Sequence, residues 1–168
     1  MDFVVLFIDV CLFKRGPQHV PASRFLLVLS LIAYALVGEV LLSVEADWWV
    51  AALQVAVEAV LLLAFTGVVL FLAGRSARYL QTATALLATD AVISTPGALI
   101  LYWWLANPAV RAFQMALFAL MIWHIAVVGH ILRHALSRPL LHGVLLAVLY
   151  VVISYQIMNA IFTTPSPA

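Results

Sequence analysis

Five apolar stretches, at about residues 24–44, 48–73, 79–105, 109–133 and 139–162, fill most of this chain. Each matches the ~20 residues that a helix needs to cross the hydrocarbon core of a bilayer. Hydrocarbon offers a peptide group no water to bond, so a segment of that length is restricted to a helix that pairs its own N–H and C=O groups. The expected fold is therefore all-α, a polytopic membrane protein of five transmembrane helices. Composition agrees, because 67% hydrophobic and 9% charged residues with a mean hydropathy of +1.17 lie far outside the soluble norm. Too little chain separates the stretches for an extramembrane domain, so residues 23–162 read as one bundle.

Outside the bundle, the apolar run Met1–Leu12 carries Asp2 and Asp9 on one helical face, which predicts a short interfacial helix. A secretory signal would begin with positive charge and end in small residues. Here acid comes first and Lys14 and Arg15 follow, so the N-terminus is expected to stay on the mature protein. The polar stretch from Lys14 through Gly16 and Pro17 to Pro21 reads as a hinge, and Ser23 is placed to cap the first span. Residues 1–22 form this N-terminal segment, and residues 163–168 a short external tail.

Orientation follows from the cations. Lys14, Arg15, Arg24, Arg75, Arg78, Arg133 and Arg138 fall on one side, leaving Arg111 on the other with Glu45, Asp47 and the Asn107-Pro108 turn. The excess of Lys and Arg on cytoplasmic loops then predicts a cytoplasmic N-terminus and an outside C-terminus. Trp48, Trp49, Tyr102, Trp103, Trp104 and Phe162 gather at the outer interface on the same reading, with Tyr79 at the inner one. The short loops suit a bacterial inner membrane.

Glu58, Asp90 and His124 interrupt their spans near the middle, where an ionisable side chain is expensive and marks a partner or a role. At ~1.5 Å per residue the three lie at similar depth and form a candidate mid-membrane polar cluster. Glu39, Gln54, Ser94, Gln156 and Asn159 are supporting polar candidates. Span three is the most unusual, since small and hydroxyl residues replace Leu and Val from Gln81 to Gly97, and Pro96 followed by Gly97 predicts a kink that frees the carbonyl of Val92. Such a helix belongs inside the bundle. A ladder of titratable groups suits a proton- or ion-coupled transporter, whereas the simpler expectation is that buried polar pairs set helix register or face a neighbouring subunit.

Arg75, Arg78, Arg133, His134 and Arg138 read as a cytoplasmic rim facing anionic headgroups. His130 and His134 have the i, i+4 spacing of a metal pair, but no acidic third ligand accompanies them, and the histidines do not match in depth as axial haem ligands would. No metal or other cofactor is expected. The lone Cys11 excludes an intrachain disulfide. Gly-rich phosphate loops, a His-Glu-x-x-His helix and a Gly-x-Ser-x-Gly turn are absent from the sequence, so no enzyme activity is expected and no catalytic residue is assigned. Nothing suggests nucleic acid.

Small residues at Ala52/Ala56, Gly67/Gly74, Ala112/Ala116 and Gly143/Ala147 share helix faces and predict close packing, within the bundle or with other membrane subunits or a second copy. The five-span layout, the Pro96-Gly97 interruption and the Trp123 to His130 stretch resemble the Yip-type membrane protein family over about two-thirds of the chain. That resemblance implies membrane organisation or partner binding. The long soluble N-terminal region of eukaryotic members is missing, so no role with small GTPases and no functional residue is carried over. The expected function is a non-catalytic interaction, scaffold or assembly subunit of a membrane complex, and the alternative is a small proton- or ion-coupled transporter.

Overall fold

A computed structural model describes residues 3–44, 46–107 and 111–162; Asp2, Glu45, Pro108 and the tail 163–168 lie outside the described residues. The chain forms α1 (Phe3–Cys11), α2 (Arg24–Leu42), α3 (Trp48–Leu72), α4 (Tyr79–Ala106), α5 (Arg111–Leu136) and α6 (Leu140–Phe162), with single 3-10 turns at Pro17–His19 and Ser76–Arg78. Among the described residues, five helices are long and apolar enough to cross a membrane. Their outer faces stay apolar: Phe25, Phe71 and Leu72 are 76%, 74% and 78% exposed. Water would not tolerate that surface, and lipid does.

Local chemistry sets the ends. Ser23 is extended and its hydroxyl accepts from the Leu26 N–H at 3.4 Å, capping α2. At this same end of the bundle, where Lys and Arg collect, α1, α3 and α5 all stop in one way. Phe13, Gly74 and Ser137 take positive φ of 61°, 65° and 53°, and the next N–H turns back to the carbonyl of Asp9, Leu70 or Arg133 at 2.9, 2.7 and 3.0 Å. This left-handed cap suits glycine, and Phe13 and Ser137 adopt it against the steric cost of a Cβ.

Helix α4 occupies the centre of the bundle, and every residue from Thr82 to Thr89 is buried. Its small side chains let α1, α2 and α5 approach closely. Thr82 donates to the Arg78 carbonyl at 2.9 Å, and Thr89 and Thr95 to those of Ala85 and Ala91 at 2.7 Å, whereas the buried Thr84 hydroxyl has no hydrogen-bond partner among the described residues. Pro96 sits inside the helix as expected. Helices α5 and α6 meet at Gly129 and Gly143, both buried, where a Cβ on Gly143 would collide with the Gly129 carbonyl oxygen. Gly143 and Ala147 thus form one of the small-residue faces read from sequence, against a glycine partner that was not.

Contacts of α1 differ from those of an interfacial helix. It does not lie across the ends of the spans but runs antiparallel beside α4: the Cys11 thiol reaches the Thr89 carbonyl at 3.9 Å, while Phe3 and Val4 border Val37, Val92 and Thr95 further along. Leu6, Phe7, Val10 and Cys11 are buried. The Trp123 indole donates to the Cys11 carbonyl at 3.0 Å, and the His130 Nε2 to that of Arg15 at 3.0 Å, tying the N-terminal hairpin, α1 with the turns that follow it to Val20, to α5. Asp9, one of the two acids that suggested an interfacial helix, pairs with Arg15 at 3.3 Å. Neutralising it locally removes the reason for α1 to stay at the surface.

Candidate functional site

Asp90 stands on the buried centre of α4, one turn before Ser94, whose hydroxyl donates to Asp90 Oδ1 at 2.9 Å. From α5, His124 Nε2 approaches the same oxygen at 3.9 Å, an ion-pair distance without a direct hydrogen bond. Across from them the Tyr34 hydroxyl on α2 donates to Glu58 Oε2 on α3 at 3.5 Å, a long bond. Tyr34, Glu58, Asp90 and Ser94 line one cavity of about 100 Å³, walled by Gly38 and Val55. At ~30 Å³ per water it has room for about three waters. Three helices therefore contribute an acid or a hydroxyl to one small volume, and His124 of α5 reaches Asp90 from a neighbouring space.

The four groups also share a level. Counted at 1.5 Å per residue from the Lys/Arg end of each helix, Tyr34, Asp90, His124 and Glu58 lie about 15, 17, 18 and 21 Å along. On the far side of Ser94 a second space of about 230 Å³, bordered by Leu41, Gly97, Leu120 and His124, follows the Pro96 region between α4 and α5. A Cβ on Gly97 would stand 3.0 Å from Leu120 Cδ2, the tip of a flexible side chain that would have to shift by a few tenths of an ångström. Tyr150 on α6 lies in electrostatic range of both carboxyls and packs its ring 5.2 Å from Phe65.

Glu58, Asp90, Ser94 and His124, picked out in the sequence, thus come together, and Tyr34 joins them unannounced. A Tyr ten residues into an apolar span, away from the interfacial belt where Tyr is common, was the available signal. Other candidates stand apart. Glu39, turned away from the cavity by one residue from Gly38, lines a groove between α2 and α3 with Trp48 and Ala52. Gln54 is half-buried on α3, and Gln156 and Asn159 are exposed on α6. The cation rim is partly built into the fold: Arg78 Nη1 donates to the His134 and Ala135 carbonyls at 3.0 and 2.8 Å, and Arg133 Nη2 to His134 Nε2 at 3.1 Å. Arg75 is half-buried and Arg138 exposed.

No known protein family, curated protein or solved structure matches this chain.

Its chemistry must therefore be read from the site alone. Among the described residues, no three His, Cys, Asp or Glu side chains converge as a metal site. What the cluster offers is proton exchange. Two carboxyls border one small cavity, each with a hydroxyl donor beside it, and one imidazole approaches Asp90 from the adjoining space. If Glu58 is protonated and Asp90 and His124 share one further proton, the layer is neutral. Losing one proton leaves a net charge of −1 in a low-dielectric setting, which a proton or a small cation would neutralise.

Proposed function

We propose that this protein is a small proton- or cation-coupled membrane transport protein in which Asp90 and His124 exchange the coupling proton. The observation that supports this reading is the gathering of Tyr34, Glu58 and Asp90, from three helices, around one small cavity, with His124 of a fourth helix 3.9 Å from Asp90 at a similar depth. Packing alone does not call for ionisable groups so far from the helix ends, and carrying them there is costly. Ser94 orients Asp90, and Tyr34 orients Glu58. The role is non-enzymatic. The gathering of Lys and Arg at one end supports a cytoplasmic N-terminus and an outside C-terminus, and the short loops accord with residence in a bacterial inner membrane.

The test is flux. Purified protein in proteoliposomes containing a pH-sensitive dye should acidify or alkalinise the lumen when a gradient of sodium, potassium or lithium is imposed. Asp90→Asn should reduce that signal at least about tenfold with helical content unchanged. Wild-type protein giving only the rate of empty liposomes under every gradient would sink the reading.

A second reading, an assembly subunit of a membrane complex, draws on the groove of about 660 Å³ between α2 and α3, floored by Ala35, Ala52, Ala56 and Ala59. Small residues there would admit a helix of another subunit or of a second copy. Ala56→Leu should then release a protein that co-purifies with the wild type; retention of that protein would count against it. The Yip-type resemblance accords with this second reading and adds no residue to it.

A further inference from the structure

At the Lys/Arg end a separate cleft of about 280 Å³ opens between the N-terminal hairpin, the start of α4 and the end of α5, lined by Gln18, Arg78, Gln81, His134 and Ser137. Arg78 is held in place: its Nη1 donates to two terminal carbonyls of α5 and lies 3.0 Å from Ser137 Oγ. Its Nε and Nη2 take no hydrogen bond among the described residues. Arginine donates only, so His134 Nε2 accepts from Arg133 Nη2, and the ring hydrogen of a neutral His134 sits on Nδ1. Arg133, His130 and His19 are all in electrostatic range of that ring. Gln81 Nε2 donates to the Val20 carbonyl at 3.0 Å and fixes the hairpin that carries Gln18.

Nothing acidic answers these charges. Among the described residues the ion pairs are Arg15 with Asp9 and His124 with Asp90, so Arg78 and Arg133 face no carboxylate. A fixed guanidinium with a free edge, an imidazole N–H, an amide and a hydroxyl around one space form the donor set that phosphoryl oxygens match. The space equals about nine waters at ~30 Å³ each, room for a phosphoryl group with a short polar stem. We propose that this cleft binds a phosphoryl anion carried on a small polar group, the chemistry common to an anionic phospholipid headgroup and a soluble phosphate ester. Gln18 and His134 are the residues that select it, and Arg78 supplies the charge. The inference stands independently of the transport reading.

Two arms separate the sources. The full-length protein is placed in phosphatidylcholine nanodiscs with added phosphatidylglycerol, and retained lipid is read by native mass spectrometry. In parallel, glycerol phosphate is titrated onto protein in phosphatidylcholine alone. Binding in either arm is expected to fall at least about tenfold in Gln18→Ala and His134→Ala. It should change less than about twofold in Arg138→Gln, an exposed rim cation outside the cleft. Arg78 is not substituted, because it also caps α5. Retention of the lipid alone assigns the headgroup, and binding of glycerol phosphate alone assigns the soluble ester. No binding in either arm, or an equal loss in Arg138→Gln and His134→Ala, would overturn the proposal in favour of a diffuse electrostatic rim.

Discussion

Replacing Gly143 by alanine adds one methyl group where α6 crosses α5, and the atoms it meets are backbone. Besides the Gly129 carbonyl oxygen, the new Cβ would lie 2.9 Å from the Arg133 nitrogen and 3.0 Å from the Gly129 carbonyl carbon. No rotamer relieves a clash with a peptide group, so the helices must separate. Bringing the Arg133 nitrogen to an ordinary 3.4 Å takes at least 0.5 Å, and the Gly129 oxygen demands more. A radial gap of ~0.5–1 Å forfeits a quarter to a half of each dispersion contact along the seam. Overpacking of this kind costs about 1–3 kcal/mol, and the rigid partner places Gly143→Ala near the top of that range, at about 2–3 kcal/mol. Gly67→Ala is the control, since its Cβ would meet Tyr79 Cε2 at a comfortable 3.5 Å while gaining up to ~1 kcal/mol of helix propensity. Unfolding in mixed micelles titrated with SDS, followed by tryptophan fluorescence, reads both. A Gly143→Ala protein as stable as wild type would refute the claim that the α5/α6 seam is held at backbone contact.

Ser137→Gly should raise stability in the same assay by about 0.5–1 kcal/mol, because Ser137 holds a φ of 53° where glycine carries no steric penalty; a loss would mean that its hydroxyl contact with Arg78 outweighs the backbone term. Cys11 should resist maleimide in the folded protein across pH 7 to 9. Burial first, and then the Asp90 charge, push its thiol up to about 12, so the reactive thiolate stays scarce until the pH approaches that value. Rapid native labelling would show that α1 does not pack against Thr89. Trp123→Phe removes the indole bond to the Cys11 carbonyl and should cost about 1 kcal/mol while accelerating that labelling; an unchanged rate would mean the bond does not hold α1. Tyr34→Phe should leave the fold intact, alter the pH dependence of any flux and spare its existence; an unchanged profile would remove Tyr34 from the site.

Much of the architecture was legible because apolar length reads directly as spanning helix. Ser23 as the cap of α2 and the polar centre of span three stand where their residue chemistry requires, and Pro96 lies inside α4, which continues unbroken from Tyr79 to Ala106. The last helical residues were less visible: α5 runs on to Leu136, past the expected stop at Arg133, because the left-handed cap falls on Ser137 and not on a glycine. In the site, Asp90, Glu58 and His124 announced themselves as charges in hydrocarbon. Tyr34 did not, since a tyrosine is also a good apolar residue. The placement of α1 escaped because its two acids looked amphipathic, while the Arg15 partner of Asp9 comes into reach only through the turn that ends α1, where the Lys14 and Arg15 N–H groups both bond the Asp9 carbonyl.

Five spanning helices, and the collection of Lys and Arg on alternate turns, were determined by the sequence itself, since hydrocarbon leaves an apolar segment of that length no other way to satisfy its backbone. Which faces meet was decided only in three dimensions. Lipid tails are as apolar as leucine, so a lipid-facing residue and a core-facing residue carry the same signature, and neither Gly129 against Gly143 nor Tyr34 against Glu58 is written in hydropathy. Backbone contact at small residues and the mutual satisfaction of polar groups select those pairings, and both depend on distances between helices that sequence spacing does not contain.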